Sequence, residues 1–182
     1  RARKIQDGAL VQKKAWTQAY AVSTKLLELD YDGSLDVHID VCLSSGNADE
    51  AWRLAQQLYA QKPADEAVLQ TYIKVLVSTK RASEAARLIA QLLPTAGTRM
   101  KSFLYYERSF LSTDEETIFG DLRSSLTANP RNQDALFRLY SIYYRKKEYR
   151  KAQYYLKQVV ALSPNDKSLQ LLAQELDELL KR

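Results

Sequence analysis

Glycine, proline, cysteine and histidine are all scarce in this chain, and each scarcity excludes something. Only 5 of the 182 residues are Gly and 4 are Pro. That suits helices joined by short connections and leaves no glycine-rich loop to cradle a phosphate. The single cysteine, Cys42, rules out an internal disulfide and leaves the compartment open. The single histidine, His38, leaves no credible Ser/His/Asp or Cys/His arrangement for nucleophilic catalysis. No apolar run reaches 18 residues, and the chain opens on Arg1 without an apolar leader. It therefore reads as a soluble fragment whose targeting segment, if the parent has one, lies outside it. Export of the parent protein stays open. A dominant charge sign is also missing: 27 Lys and Arg stand against 22 Asp and Glu, a net +5 whose placement matters more than its size.

What is present is apolar and periodic. Hydrophobic residues make up 46% and charged residues 27%, the balance of a folded chain. Pro130 and Pro164 lie 34 residues apart, as do Ala51 and Ala85, and Leu35 and Leu69. Thirty-four is the period of a helix–turn–helix repeat, whose units stack because none buries its apolar face alone. In 32–65, Leu35, His38, Ile39 and Cys42 form one helical stripe, and Asn47 with Glu50 marks a helix start. Ala51, Leu54, Ala55 and Leu58 then line a second helix ahead of Pro63. In 66–98 the register repeats with Leu69, Tyr72, Ile73 and Leu76, then Ala85, Ile89 and Leu92, and an irregular joint follows Pro94. In 99–132 come Phe103, Leu104 and Tyr106, a Thr113/Glu116 capping box, and Ile118, Leu122 and Leu126. The clearest unit is 133–166, with Leu136, Leu139, Tyr140 and Tyr143 followed by Ala152, Leu156, Val159 and Pro164. Upstream, 1–31 reads as a degenerate first unit in which Gly8 and Val11 lead to Ala19, Leu26 and Leu29. Downstream, 167–182 reads as one amphipathic helix, with Leu169, Leu172, Leu176 and Leu179 on its apolar face, that caps the array.

Leu136, Leu139, Tyr143, Ala152, Leu156 and Pro164, with Leu35, Ala51, Leu58 and Pro63, resemble the pattern of the tetratricopeptide repeat family. The resemblance is strong over 32–93 and 131–182 and weaker elsewhere. Tyr140 and Ile39 depart from it where a small residue is usual, and Ser125 and Val159 where Ala is common. It implies an all-α fold: a right-handed α-solenoid of about five helix–turn–helix repeats plus a C-terminal capping helix, in one domain, 1–182. Ala51, Ala85 and Ala152 then sit where the two helices of a unit approach most closely.

Chemistry is thin. His38 and Cys42 lie one turn apart, a spacing two metal ligands could share, but no other His or Cys completes a site, and both fall on the packing stripe. Asp114, Glu115 and Glu116 sit at a helix start, where they complement the helix dipole. The expectation is no catalytic residue, no metal, no cofactor and no enzyme activity.

The resemblance implies a groove lined by first helices that takes a peptide or a partner helix. The positions it carries over are Asp36, Asp40, Gln70 and Lys74, then Phe103 and Glu107, then Phe137, Arg138, Ser141, Tyr144 and Arg145. Of the Lys and Asn pattern with which some family members hold a terminal carboxylate, only Arg138 fits. Eight of the 12 Tyr fall between Tyr105 and Tyr155, interleaved with Arg and Lys. The leading expectation is a scaffold for a protein or peptide partner. The competing one is nucleic-acid binding along 131–157, with tyrosines stacking on bases. A purely structural role, including self-association through the N-terminal edge, is the third.

Overall fold

The computed structural model describes residues 2–28 and 34–181, with side chains described from Ala15 to Glu28 and from Leu35 to Lys181. Among the described residues there are ten α-helices and no strand. They gather into two compact units, 1–88 and 89–182. The first holds α1 (Ala2–Glu28), α2 (Ser34–Ser45), α3 (Ala48–Gln61), α4 (Glu66–Ser78) and most of α5 (Ala82–Leu92). The second takes the last residues of α5, then α6 (Thr98–Arg108), α7 (Glu115–Ala128), α8 (Gln133–Arg145), α9 (Tyr149–Leu162) and α10 (Lys167–Leu180).

The turn inside a repeat is built by backbone alone. Gly46, Lys80 and Lys147 all have left-handed backbone, with φ of 82°, 61° and 60°. The residue after each one donates its N–H five residues back: Asn47 to the Cys42 carbonyl (2.8 Å), Arg81 to Leu76 (2.9 Å) and Glu148 to Tyr143 (3.0 Å). This is the helix-terminating motif that satisfies the last free carbonyls of a helix. Asn47 lacks the extended backbone of a side-chain cap (φ −86°, ψ 64°) and makes no such bond, and with its N–H already used Glu50 pairs with Arg53 instead. The helix start expected at Asn47 is therefore found, with α3 beginning at Ala48, but without the side-chain bonds of a capping box.

The turn between repeats is where the prolines fall. In Lys62–Asp65, Asn129–Asn132 and Ser163–Asp166 the fourth residue donates its N–H to the first carbonyl, at 3.2, 3.0 and 3.1 Å. Proline stands second each time, where its fixed φ suits the turn and its missing N–H is not needed. The fourth residue then caps the next helix: Asp65 accepts from Ala67 and Val68, Asn132 from Ala135, and Asp166 from Ser168 and Leu169. The capping box expected at Thr113 and Glu116 is corrected by one position. Asp114 caps α7 and accepts from the N–H of Thr117.

In the first unit α2 packs against α1, α3 and α4. Ile39, Cys42, Ala51, Ile73, Leu76 and Ala85 are fully buried. In the second unit α6 packs on α7, α7 on α8, α8 on α9 and α9 on α10. Two clusters fill it: Leu122, Ala135 and Leu139, and then Leu136, Tyr140, Ala152, Leu156 and Val159 with Leu169 and Leu176 of α10. Tyr140 is accommodated as a core residue despite its size.

One expectation fails outright. The segment read as a degenerate first unit, 1–31, holds a single helix from Ala2 to Glu28, with Gly8 inside it. One glycine costs a helix about 1 kcal/mol relative to alanine, and with no proline nearby nothing breaks it. Leu29 and Tyr31 lie outside the described residues.

Candidate functional site

In the second unit, α8 presents one face to an open cleft of about 420 Å³. Tyr106 and Phe110 border it from the α6 side, Asp166 and Leu169 from the α10 side, and Gln133, Asp134, Phe137, Arg138, Ser141 and Arg145 along α8. Phe137, Ser141, Tyr144 and Arg145 recur at spacings of three, four and seven, so they share a face by helical geometry. Phe110, Phe137 and Tyr144 stay 44%, 37% and 39% exposed, unusual for large apolar rings.

Arg138 is the most constrained of these side chains. Its guanidinium lies 3.4 Å over the Phe110 ring, and one terminal nitrogen donates to the Ser109 carbonyl at 3.1 Å. Its Nε is buried without an acceptor. Burial lowers the Arg138 pKa and outweighs the support of Tyr106 and Glu107, while the charge of Arg145 lowers it further. Tyr106 stays neutral, its hydroxyl pushed up to about 12 by burial and then by Asp134. Arg145 is exposed and makes one long contact, from Nε to the Ser141 carbonyl at 3.4 Å. The ion pairs of the unit lie elsewhere: Arg108 with Asp121, Lys146 with Glu115 and Glu148, Lys151 with Glu148, and Lys181 with Glu178.

The other expected groove positions are distributed. Phe103 is half-buried on α6, and Glu107 is 6% exposed, turned into the protein rather than towards an open surface. In the first unit Asp36 accepts from Thr71 Oγ1 at 2.9 Å, which ties α2 to α4. Gln70 is half-buried, and Asp40 and Lys74 are exposed.

Three arrangements were not legible in the sequence. On α3, α4 and α5, Tyr59 stacks on Tyr72 at 4.3 Å, Trp52 stacks on Tyr72 at 5.7 Å, and the Arg81 guanidinium covers Trp52 at 3.9 Å. The Tyr72 hydroxyl donates to Glu84 at 3.0 Å and is pushed up to about 12, by burial first and by that bond second. In the second unit, Ser125 donates to the Ser102 carbonyl (2.7 Å), and Asn132 Nδ2 reaches both hydroxyls at 2.9 and 3.0 Å. This bonding explains why Ser125 stands where alanine is common.

The third is a serine–histidine pair. Ser23 Oγ and His38 Nδ1 lie 2.8 Å apart, and Ser23 Oγ also donates to the Tyr20 carbonyl at 3.0 Å. The one hydroxyl proton serves one acceptor at a time: when it goes to the carbonyl, the ring Nδ1–H donates to Ser23, and when it goes to Nδ1, the ring accepts. A nucleophile must reach its substrate, and both side chains are 2% exposed. The pair joins α1 to α2, with the Tyr20 ring packed on His38 at 5.0 Å. Burial lowers the His38 pKa against the opposing pull of Glu50, and burial raises that of Cys42. Among the described residues no group of three His, Cys, Asp or Glu could hold a metal ion, and no helix is long and apolar enough to cross a membrane.

Comparison with the curated proteins returns no match. The family models return one, to the tetratricopeptide repeat, over residues 43–104. That stretch runs from the end of α2 into α6 and includes the Gly46 and Lys80 turns and the Pro63 turn. Within an all-helical fold, residues 43–104 of this chain match the tetratricopeptide repeat family.

Proposed function

We propose that the chain is a non-enzymatic protein–protein interaction scaffold that docks a partner's peptide or helix on its first helices, with α8 as the main contact. The observation that carries this reading is the α8 cleft, where Phe110 and Phe137 stay exposed around Arg138, with Tyr144 exposed further along the helix. Exposed aromatic rings with arginine are the composition of interface centres. Asp36, Asp40, Gln70 and Lys74 are proposed as contacts in the first unit, and Phe103 and Ser141 in the second, whereas the buried Glu107 is not. The test is a nuclease-treated pull-down from the source lysate, with wild-type bait beside Arg138→Glu/Arg145→Glu and Tyr144→Ala. A protein kept by wild type and lost by both variants supports the scaffold; equal recovery by all three baits removes it.

A second reading has its own observation. Arg150, Tyr154 and Lys157 share the outer face of α9, and Tyr154 is 64% exposed. A ring flanked by basic side chains suits stacking on a single-stranded base. Binding of labelled single-stranded RNA or DNA that disappears with Tyr154→Ala would favour it over the scaffold.

A further inference from the structure

The scaffold reading leaves the partner's chemistry open, and the charges around the α8 cleft narrow it. Arg138 and Arg145 lie two turns apart on the face of α8 that lines the cleft. Arg138 is held flat on Phe110 by its bond to the Ser109 carbonyl, so its fork is oriented in advance. Two acidic residues line the cleft as well, both towards the start of α8. Asp166 accepts from the Ser168 and Leu169 N–H groups of α10, and Asp134 sits in the first turn of α8, at the opposite end from Arg145. Glu107 supports the Arg138 charge without offsetting its burial. The cleft is therefore polarised along α8, from Asp134 in the first turn to Arg145 in the last, with Phe137 and Arg138 between them.

Resting on the scaffold reading, we propose that this cleft takes an acidic side chain of the partner, its carboxylate between Arg138 and Arg145, with a neighbouring apolar side chain against Phe137. A carboxylate accepts two parallel N–H bonds from a guanidinium and also relieves the repulsion between the two arginines. Lysine in place of Arg138 keeps the charge and loses the fork.

The test is selection from a random nonapeptide display library, then anisotropy titration of the most enriched peptide, dye-labelled, against wild type, Arg145→Gln, Arg138→Lys and Phe137→Ala. Arg145 is exposed, so its replacement leaves packing intact, and circular dichroism checks folding of the other two. The expected result is an enriched Asp or Glu beside a large apolar residue. Binding should weaken about tenfold or more in each arginine variant, the scale of one charge-assisted contact, and likewise when the peptide acid becomes its amide. Enriched peptides without a shared acid, or acidic peptides that bind both arginine variants as tightly as wild type, overturn the proposal. Neutral peptides that still depend on Phe137 sink the acidic partner and spare the scaffold. No enrichment sinks both.

Discussion

Single side chains decide where this fold tolerates change. Ala85 is fully buried, and a larger residue there forces α5 off its neighbours. Ala85→Leu should destabilise by about 1–3 kcal/mol, read from the urea midpoint, and an unchanged midpoint would refute the close-approach assignment. Ser125 is buried just as fully but is polar. Ser125→Ala removes an acceptor from Asn132 and a donor to the Ser102 carbonyl, and should cost about 1–3 kcal/mol although alanine is common in repeats at this position. A double-mutant cycle with Ser102→Ala should show coupling, because the two hydroxyls share one network. His38 makes stability depend on pH. Burial puts its folded pKa below the ordinary 6.5, so the unfolded chain takes up the proton first as pH falls. Its contribution is complete above pH 6.5, declines below it, and levels off once pH passes the folded value. Urea unfolding at pH 7.5 and 5.5 should therefore show a larger drop for wild type than for His38→Gln; equal drops would rule this out.

At the scale of elements, the turns divide by how they are made. Lysine in the left-handed region is strained where glycine is not, and this chain uses glycine at one of three equivalent turns. Lys80→Gly and Lys147→Gly should each stabilise by about 0.5–1 kcal/mol, while Gly46→Ala should destabilise by a similar amount, all read by thermal denaturation. Caps should separate in the same way. Asp166 binds two N–H groups of α10 with its side chain, so Asp166→Ala should cost about 1 kcal/mol. Asn47 caps through its backbone, and Asn47→Ala should cost no more than a few tenths of that. Equal costs would mean that the two turn classes are not distinct.

For the whole molecule, net charge and its placement separate the two functional readings. A net +5 on 182 residues is modest, and several basic side chains are already in ion pairs. Docking in the α8 cleft should weaken by no more than about tenfold between about 50 and 200 mM salt, measured by titration calorimetry with the captured partner. A protein that neutralises six phosphates loses about a thousandfold over that range. The steep slope would move the function to the outer face of α9.

The proline turns and the apolar stripes were readable in advance, because each is a relation between residues within one or two helical turns or one connection, and the period of 34 because it repeats those local relations one unit on. At Asn47 the helix start was legible and only the side-chain bond is absent, while the cap expected at Thr113 is made one residue on by Asp114. The long α1 was not read because Gly8, Val11, Ala19 and Leu26 were matched to the repeat pattern, and a lone glycine is too weak to interrupt a helix. Of the candidate site, the shared face on α8 came from spacing alone. The seat of Arg138 on Phe110, the inward turn of Glu107, the Ser23–His38 pair and the network of Ser102, Ser125 and Asn132 did not. The sequence by itself determined that the chain is helical, repeating and closed by short turns, since those properties are encoded locally. Only the tertiary structure decided which side chains meet, because partners such as Arg138 and Ser109 are 29 residues apart and come together through the packing of helices.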